Sequence, residues 1–557
     1  MFFRQYHTTT ARFKQQRAAS CFFFSYVLCF TGICCPLAST GGQTHLINAK
    51  ESFYMKIFAL VLFIAVYVFM IALPKYRVAA AASVAVVYVI TGIVSINTLP
   101  SVLNFNVLLM LLGMMLIVYY FIASKMPMCI ADVLLDRSKN LCMVTIFLSL
   151  FAGVISAFID NVATVLMIAP VAIAISKKLK VSPVPMVISI AVSSNLQGAA
   201  TLVGDTTSIL LASYAKMTFT DFFFMNGRPG IFWAVELGAL ATVPIMLFLF
   251  RDMKEPVSAQ EKTVVKNYVP TVILLATIIV LIIASFFPNR PEMTNGVVCI
   301  SFGILSMLYD LLRTKTKDSA VACIKETDYM TLLLLASLFV VVAGVNNVGI
   351  IDDIASFFVK IGGSNRFLLF TLIVWGSVAV SAFVDNIPYV TAMLPVLAGV
   401  SRMTGTDPNL LFFGLLTGAT LGGNITPVGA SANITGIGIL RKNNCEVANK
   451  DFMRISVPFT LTAVTVGYLF LWFVWNRSKV IAYYSQTSEK AAGEPLFPCS
   501  RCFGGCAAIK KGKMKQGDAF TKSGKYLECL PQDIVFALLI ILICSQNARA
   551  NCMNFTY

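Results

Sequence analysis

The sequence predicts an all-α polytopic membrane protein that contains two inverted-topology repeats. Three observations predict this class: an apolar composition, a repeated Asp-Asn motif, and unequal charge in two corresponding loops. Of the 557 residues, 58% are hydrophobic and only 12% are charged, a balance that soluble globular domains do not show. The lipid bilayer is therefore the expected partner of most of the chain, and the kind of membrane, plasma or organellar, stays open.

Apolar runs of about 20 residues, each long enough to cross a bilayer, recur along the chain. Together with the segments around the Asp-Asn motifs, they predict roughly 10–12 membrane elements. The clearest runs are Met55–Leu73, Val78–Leu99, Asn106–Ala123, Gly230–Phe250, Tyr268–Phe287, Tyr329–Val345 and Val457–Trp475.

The two ends differ from this apolar centre. The first 50 residues contain no Asp or Glu, and basic residues precede the apolar stretch Ala18–Ala38. This pattern predicts a signal or anchor-like extension, with a transit peptide and a first transmembrane helix as alternatives. The C-terminal tail contains one Cys-x-x-Cys pair, from which no function is inferred. The predicted domains are the extension (1–54), repeat 1 (55–250), a linker with connecting helices (251–328), repeat 2 (329–476) and the tail (477–557).

Several functions are excluded by composition. The net charge of +17 is typical of nucleic-acid binding, but the basic residues of the apolar centre lie in short loops, as in cytoplasmic loops of membrane proteins. The only histidines, His7 and His45, precede the centre, so a His-based metal site or proton relay is not expected within the membrane. No P-loop motif is present, so ATP-driven transport would need a partner ATPase. No cofactor is predicted.

The strongest signal is an internal repeat. The sequence SAFIDN at Ser156–Asn161 recurs as SAFVDN at Ser381–Asn386, 225 residues later. The same register aligns LQGAATLVGDTTS, which starts at Leu196, with LGGNITPVGASAN, which starts at Leu421. Chance similarity between apolar helices does not reproduce an Asp-Asn pair and a Gly-rich segment in one frame, so duplication is the better explanation.

Loop charge predicts that the two repeats have opposite orientations. The loop after the first motif, SKKLKVSP, contains three lysines, whereas in its counterpart, SRMTGTDP, Arg402 and Asp407 cancel. Because basic loops are retained on the cytoplasmic side, these corresponding loops are expected on opposite faces of the membrane. That arrangement is common in secondary transporters.

Each Asp-Asn pair ends one apolar run and precedes another that contains Pro170 or Pro395, which indicates a hairpin or a broken helix. Backbone groups freed at such a tip are satisfied when the tip lines an internal cavity. Asp160 and Asp385 would then bring two carboxylates to one midplane site. The simpler alternative is that each Asp only caps a helix. For Asp205, whose counterpart in the repeat is Ala430, a local cap and a ligand are equally open.

The candidate substrate- or ion-binding residues follow from this alignment, and no catalytic residue is expected. Na⁺ is a possible ion at the two Asp-Asn pairs. The candidates in repeat 1 are Asp160, Asn161, Thr164, Asn195, Gly198, Thr201, Gly204 and Asp205; those in repeat 2 are Asp385, Asn386, Thr391, Gly423, Asn424, Thr426, Gly429, Ser431 and Asn433.

On these motifs the chain resembles the ion transporter superfamily. This is the citrate-transporter-like domain of arsenite permeases, the melanosomal P protein and NhaD-type sodium/proton antiporters, and more distantly of divalent anion/sodium symporters. The matching pieces are SAFIDNVATVLMIAP, SAFVDNIPYVTAMLP, GAATLVGD and GGNITPVGASANI, within Met55–Trp475. The resemblance implies a re-entrant hairpin and an unwound transmembrane helix in each repeat, and a homodimer with an elevator-like motion.

Two departures from the resemblance bear on the substrate. The dicarboxylate-transporting branch carries Ser-Asn-Thr at the hairpin tips, where this chain has Asp160-Asn161-Val162 and Asp385-Asn386-Ile387. Two fixed negative charges repel a multivalent anion unless they are protonated or paired with a cation. Arsenite permeases usually have Gly-Asp-Pro-Pro-Asn in the first Gly-rich loop, where this chain has Gly-Asp-Thr-Thr-Ser from Gly204.

The sequence therefore predicts a secondary active transporter of a small ion, an anion permease of the citrate-transporter-like or arsenite permease type. Coupling to H⁺ or Na⁺ would run through the Asp-Asn motifs. A Na⁺/H⁺ antiporter is the alternative. A passive channel and an intramembrane aspartyl protease are remote alternatives. Such a protease needs a Gly-x-Gly-Asp motif, and neither Asp205 nor Asp385 is preceded by that pattern. The chain is not expected to be an enzyme.

Overall fold

The computed structural model describes residues 44–476, except residues 137, 139, 257–262, 266, 288 and 364. The apolar stretch Ala18–Ala38 and the Cys-x-x-Cys pair of the tail lie outside the described residues. Within the described part, almost the whole chain is helical, and the only strands are a short antiparallel pair, β1 (Phe224–Met225) and β2 (Arg228–Pro229).

Twenty α-helices follow one another in the described residues. In the first half they are α1 (Thr44–Ala72), α2 (Arg77–Ile90), α3 (Leu99–Val102), α4 (Phe105–Ala123), α5 (Met126–Asp136), α6 (Leu141–Ser156), α7 (Asn161–Leu179), α8 (Val184–Gly198), α9 (Thr206–Tyr214) and α10 (Ile231–Leu249). In the second half they are α11 (Val269–Ser285), α12 (Thr294–Thr314), α13 (Asp318–Glu326), α14 (Tyr329–Asn347), α15 (Ile350–Gly362), α16 (Arg366–Ser381), α17 (Asn386–Thr404), α18 (Pro408–Leu416), α19 (Ser431–Lys442) and α20 (Asn449–Trp475).

Seven of these helices are long and apolar enough to cross a membrane: α1, α4, α7, α10, α12, α14 and α20. Five shorter apolar segments accompany them: α2, α6, α11, α16, and α18 with the π-helix Thr417–Leu421 that continues it. The total agrees with the number of membrane elements predicted from the sequence. The prediction of an all-α polytopic membrane protein is thus confirmed.

Two helix boundaries and one whole helix differ from the sequence prediction. The helix expected to start at Met55 begins at Thr44. The run expected to extend from Val78 to Leu99 stops as α2 at Ile90, because the chain turns at Gly92, whose φ of +74° is readily adopted only by glycine. α12 did not stand out among the clearest apolar runs, since polar and small residues interrupt it.

The polar and small residues of α12 serve close helix packing. A Cβ atom on Gly113 of α4 would overlap the backbone of Cys299 in α12, and one on Gly303 of α12 would lie 2.9 Å from the carbonyl oxygen of Gly113. Small residues let membrane helices approach to backbone contact, where lipid provides no hydrophobic driving force between them.

The two copies of the repeat have matching local structure. α6 and α16 each contain 16 residues, α7 and α17 each contain 19, and both pairs are related by the 225-residue offset. After α8 and after the π-helix, the chain leaves helical geometry around residues 199–205 and 422–430, before α9 and α19 begin. Each copy therefore contains a break between two helices and an unwound segment. Opposite membrane orientation of the copies stays a prediction.

That orientation is testable at two exposed positions, Lys178 at the end of α7 and Arg402 at the end of α17. In a background with the 15 native cysteines replaced by serine, we expect Lys178→Cys and Arg402→Cys to react with an impermeant thiol reagent from opposite sides of the membrane. A permeant reagent should label both and serves as the control. Reaction of both positions from the same side would contradict inverted repeats.

Candidate functional site

Each Asp-Asn motif lies at a break between two helices, α6 and α7 in the first copy and α16 and α17 in the second. Oδ2 of Asp160 accepts hydrogen bonds from the N–H groups of Val162 at 3.0 Å and Ala163 at 3.1 Å. Oδ1 of Asp385 accepts one from the N–H of Ile387 at 3.2 Å. Both aspartates therefore cap the helix that follows them, as the simpler alternative from the sequence expects.

The two carboxylates differ in their remaining partners. Oδ2 of Asp385 pairs with the guanidinium of Arg77, the first residue of α2, and the hydroxyl of Ser431 donates to the same oxygen from 3.4 Å. Within the described residues, no Lys or Arg side chain pairs with Asp160, and its Oδ1 accepts no hydrogen bond. Both copies of the repeat thus contain the aspartate, but only Asp385 has a paired arginine among the described residues.

Both tips face one cavity with a volume of about 670 Å³. Four helix N-termini border this cavity, those of α7, α9, α17 and α19, through residues that include Asn161, Thr206, Asn386 and Ser431. Because unpaired N–H groups give a helix N-terminus a partial positive charge, the termini of α9 and α19, which no side chain caps, make part of the wall attractive to anions.

Charged side chains of both signs complete the wall. Two cations, Lys75 and Arg77, lie on it. The carboxylates on it are Asp160, Asp205, Glu326, Asp328 and Asp385. Carboxylates therefore outnumber cations among the charged lining residues, and the site can accommodate a cation as well as an anion.

A chain of buried amide groups connects the two copies. Nδ2 of Asn161 donates to Oδ1 of Asn195 at 3.0 Å, and Nδ2 of Asn195 donates to Oδ1 of Asn424 at 3.0 Å and to the carbonyl of Thr420 at 2.7 Å. Nδ2 of Asn424 donates in turn to the carbonyl of Val192 at 2.9 Å. Buried amides without partners are costly, so this chain fixes α8 against the π-helix beside the cavity.

The unwound segments are bonded to the hairpin tips in the same way in both copies. The hydroxyl of Thr201 donates to the carbonyl of Ala157, and the hydroxyl of Thr426 donates to the carbonyl of Ala382. In the second copy, Nδ2 of Asn433 also donates to the carbonyl of Thr426, at 3.1 Å. Each threonine therefore joins an unwound segment to the backbone of a hairpin tip, and its hydroxyl proton is already donated in that bond.

The glycines of the unwound segments also serve this packing. A Cβ atom on Gly204 would lie 2.6 Å from the carbonyl oxygens of Ala157 and Gly198. One on Gly429 would lie 2.5 Å from the carbonyl oxygen of Gly423 and 2.8 Å from that of Ala382. The alignment made these glycines candidates for ion binding; in the structure, their close contacts are with the backbone of a neighbouring segment.

Asp205 is buried at the cavity and makes no capping hydrogen bond to α9. Its Oδ2 accepts from the hydroxyl of Thr207 at 2.6 Å, and Oγ1 of Thr207 lies 3.0 Å from Oγ1 of Thr420 in the second copy. The local cap, one of the two readings left open by the sequence, is therefore not formed, and a ligand role for Asp205 stays a prediction. Glu236, in α10, does not line this cavity.

The structure brings about half of the predicted residues to the cavity. Thr391 instead lines a second cavity of about 510 Å³ along α17, and its hydroxyl donates to the carbonyl of Ile387 at 2.7 Å. The predicted residues on the first cavity are Asp160, Asn161, Asn195, Gly204, Asp205, Asp385, Asn386 and Ser431. Those that do not line it are Thr164, Gly198, Thr201, Gly423, Asn424, Thr426, Gly429 and Asn433.

Comparison with known proteins gives the family. Residues 60–418 match the family described as citrate transporter (CitMHS). The chain belongs to the citrate transporter family. The superfamily predicted from the Asp-Asn motifs is thereby confirmed, and so is an integral multi-pass membrane protein that acts as a transmembrane transporter.

Relatives of this citrate transporter family member include a shorter and a longer protein. An uncharacterized transporter of Mycobacterium bovis is 29% identical over 430 residues, which cover 75% of this chain and 98% of the relative. The human P protein is 24% identical over 448 residues, which cover 66% of this chain and 53% of the P protein.

Two solved transporter structures are also similar to the chain. The YdaH transporter of Alcanivorax borkumensis has a TM-score of 0.48 at 15% identity, covering 68% of this chain and 87% of YdaH. MtrF of Neisseria gonorrhoeae, from a class described as antimetabolite efflux pumps, has a TM-score of 0.49 at 13% identity, covering 76% of this chain and 94% of MtrF.

The packing of the unwound segments in this citrate transporter family member can be tested at Gly429. We expect Gly429→Ala to lower the thermal unfolding midpoint in detergent, because overpacking of this kind costs about 1–3 kcal/mol. The matched control is Gly438→Ala in α19, where a Cβ atom would meet nothing within 4 Å. That variant should keep or slightly raise the midpoint, since alanine favours a helix. An unchanged midpoint for Gly429→Ala would contradict the contact with the hairpin tip.

Proposed function

We propose that the chain is a secondary active transporter that moves a small anion, coupled to H⁺ or Na⁺ through Asp160 and Asp385. The observation that carries the proposal is the composition of one cavity wall. Helix N-termini and two cations on it attract an anion, and carboxylates on the same wall attract a cation. A site that holds both charges at once couples their movement.

The anion is favoured by the backbone and by side chains together. N-termini of helices bind carboxylate, sulfate and phosphate groups through free N–H groups and the helix dipole. At α7 and α17 the aspartate caps accept some of these N–H groups. Arg77 and Lys75 add full positive charges beside them. Because the family is described as citrate transporter, citrate is the first anion to test.

The coupling ion is assigned to the carboxylates. A multivalent anion beside Asp160, Asp205 and Asp385 is repelled unless a proton or Na⁺ neutralises part of their charge. Asp160 is the first candidate, since in the described residues one of its oxygens has no hydrogen-bond donor and no cation pairs with it. Asp385 already has Arg77 as a counter-charge. The two aspartates are thus expected to contribute unequally.

A Na⁺/H⁺ antiporter is the second candidate function. It is favoured by the excess of carboxylates over cations among the charged residues that line the cavity. In that case the cavity would bind Na⁺ and H⁺ in alternation, and no anion would move.

The assignment of the aspartates is tested with Asp160→Asn and Asp385→Asn, measured as uptake into proteoliposomes. We expect both variants to lose uptake driven by an imposed pH or Na⁺ gradient, because each removes a charge that the coupling ion neutralises. At least one should retain anion exchange, which needs no net movement of the coupling ion. An asparagine oxygen can still cap the helix, so folding should survive.

The anions to compare are citrate, succinate, sulfate, arsenite and chloride. Asp451→Asn, at an exposed position in the first turn of α20, is the matched control and should show wild-type uptake. Wild-type uptake by both tip variants would reduce Asp160 and Asp385 to helix caps. Na⁺/H⁺ exchange by the wild type without flux of any of these anions would favour the antiporter instead.

A further inference from the structure

Arg77 occupies a position that helix formation does not explain. It is the first residue of α2, where a cation is disfavoured by the partial positive charge of the helix N-terminus. Its side chain is 27% exposed, lines the cavity, and reaches Asp385, which lies 308 residues further along the chain. A half-buried arginine in an unfavourable place on a cavity wall needs a reason beyond the helix that contains it.

The pair with Asp385 uses only part of the guanidinium. Arginine has five N–H donors in a planar fork, and in the described residues Arg77 donates only from Nη1 to one oxygen of Asp385. The remaining donors match the two-oxygen geometry of a carboxylate or another oxyanion. Arg77 is therefore able to bind an anion from the cavity more completely than it binds Asp385.

The structure of the hairpin tip does not require the pair. The first copy forms the same tip at Asp160, and no Lys or Arg of the described residues pairs with it. In the second copy, the hydroxyl of Tyr67 in α1 independently donates to the carbonyl of Pro388 at 2.7 Å, so α17 also has a contact with α1, outside the helix that contains Arg77. The contact of Arg77 with the second tip is thus needed neither to cap α17 nor to attach α17 to its neighbouring helices.

We propose that Arg77 recognises the transported anion through a carboxylate or other oxyanion group, and that Asp385 competes with that anion for the guanidinium. This rests on the proposed function and deepens it. When the anion takes Arg77, the charge of Asp385 is released and attracts H⁺ or Na⁺. When the anion leaves, Asp385 returns to Arg77 and the cation is no longer needed. The competition links anion binding to cation binding within one pair of residues.

The test is the concentration dependence of citrate and sulfate exchange in proteoliposomes. It relies on changes in KM of opposite sign in the variants of Arg77 and Asp385. We expect Arg77→Gln to raise the KM for exchange by about ten-fold or more, since hydrogen bonds between charged groups are worth about 1.5–3 kcal/mol. Asp385→Asn should lower that KM, because it removes the competitor. Arg77→Lys should give an intermediate KM, since it keeps the charge and loses the planar fork.

A charge swap separates recognition from the ion pair itself. Arg77→Asp combined with Asp385→Arg places both charges on the opposite partners and should not restore the wild-type KM, because the arginine now lies on the hairpin tip. The matched control is Lys56→Gln, which removes a cation of α1 that also pairs with an aspartate, in this case Asp353 at 2.5 Å. Lys56 lines neither the first cavity nor the second, so the KM of this control should stay at the wild-type value.

The outcomes that would overturn the inference are distinct from failure of the proposed function. Suppose that the wild type exchanges citrate or sulfate. The pair is then only a structural contact if Arg77→Gln keeps the wild-type KM, or if Asp385→Asn raises the KM or abolishes exchange. The same conclusion follows if the swap recovers the wild-type KM. If the wild type moves none of citrate, succinate, sulfate, arsenite and chloride under any gradient, the proposed function fails, and the inference fails with it. If the wild type moves chloride alone, the inference fails and the proposed function stands.

Discussion

The rest of the structure depends on one constraint: where the backbone leaves helical geometry among apolar helices, its polar groups need partners within the protein. Side chains supply them at each break. Asp160 and Asp385 accept the first N–H groups of the following helix, and Thr201 and Thr426 donate to carbonyls of the hairpin tips. Because these bonds satisfy the broken backbone, the cavity between the tips can keep helix termini and charged side chains on its wall.

Duplication provides the frame of the site, and differences between the copies provide its chemistry. Asp205 has an alanine as its counterpart, and Arg77 pairs with one tip only. The serine before each tip shows the same divergence: the hydroxyl of Ser381 lies within hydrogen-bond distance of Asn386 and of the carbonyl of Ala419, whereas the equivalent hydroxyl of the first copy has no partner in the described residues. Equal copies would bind one kind of ion twice; unequal copies can bind two kinds.

The sequence predicted the parts of this arrangement that depend on local pattern. Apolar runs predicted most of the membrane helices, although not α12, and the Asp-Asn repeat predicted both breaks, because capping acts within a few residues. Arg77 was missed, since its pairing depends on contact between segments 308 residues apart. The contact between Asn195 and Asn424 was missed for a related reason: these residues are not equivalent in the repeat, so alignment of the copies does not bring them together.

The distance along the chain between Arg77 and Asp385 has a consequence for biosynthesis. At about 5–20 residues per second, the ribosome needs about 15–60 s to add the 308 residues that separate them. During that time an unpaired cation stands between the apolar helices α1 and α2. A newly made chain would thus have to hold this early hairpin at the insertion machinery, or beside lipid headgroups, until the second half of the protein arrives.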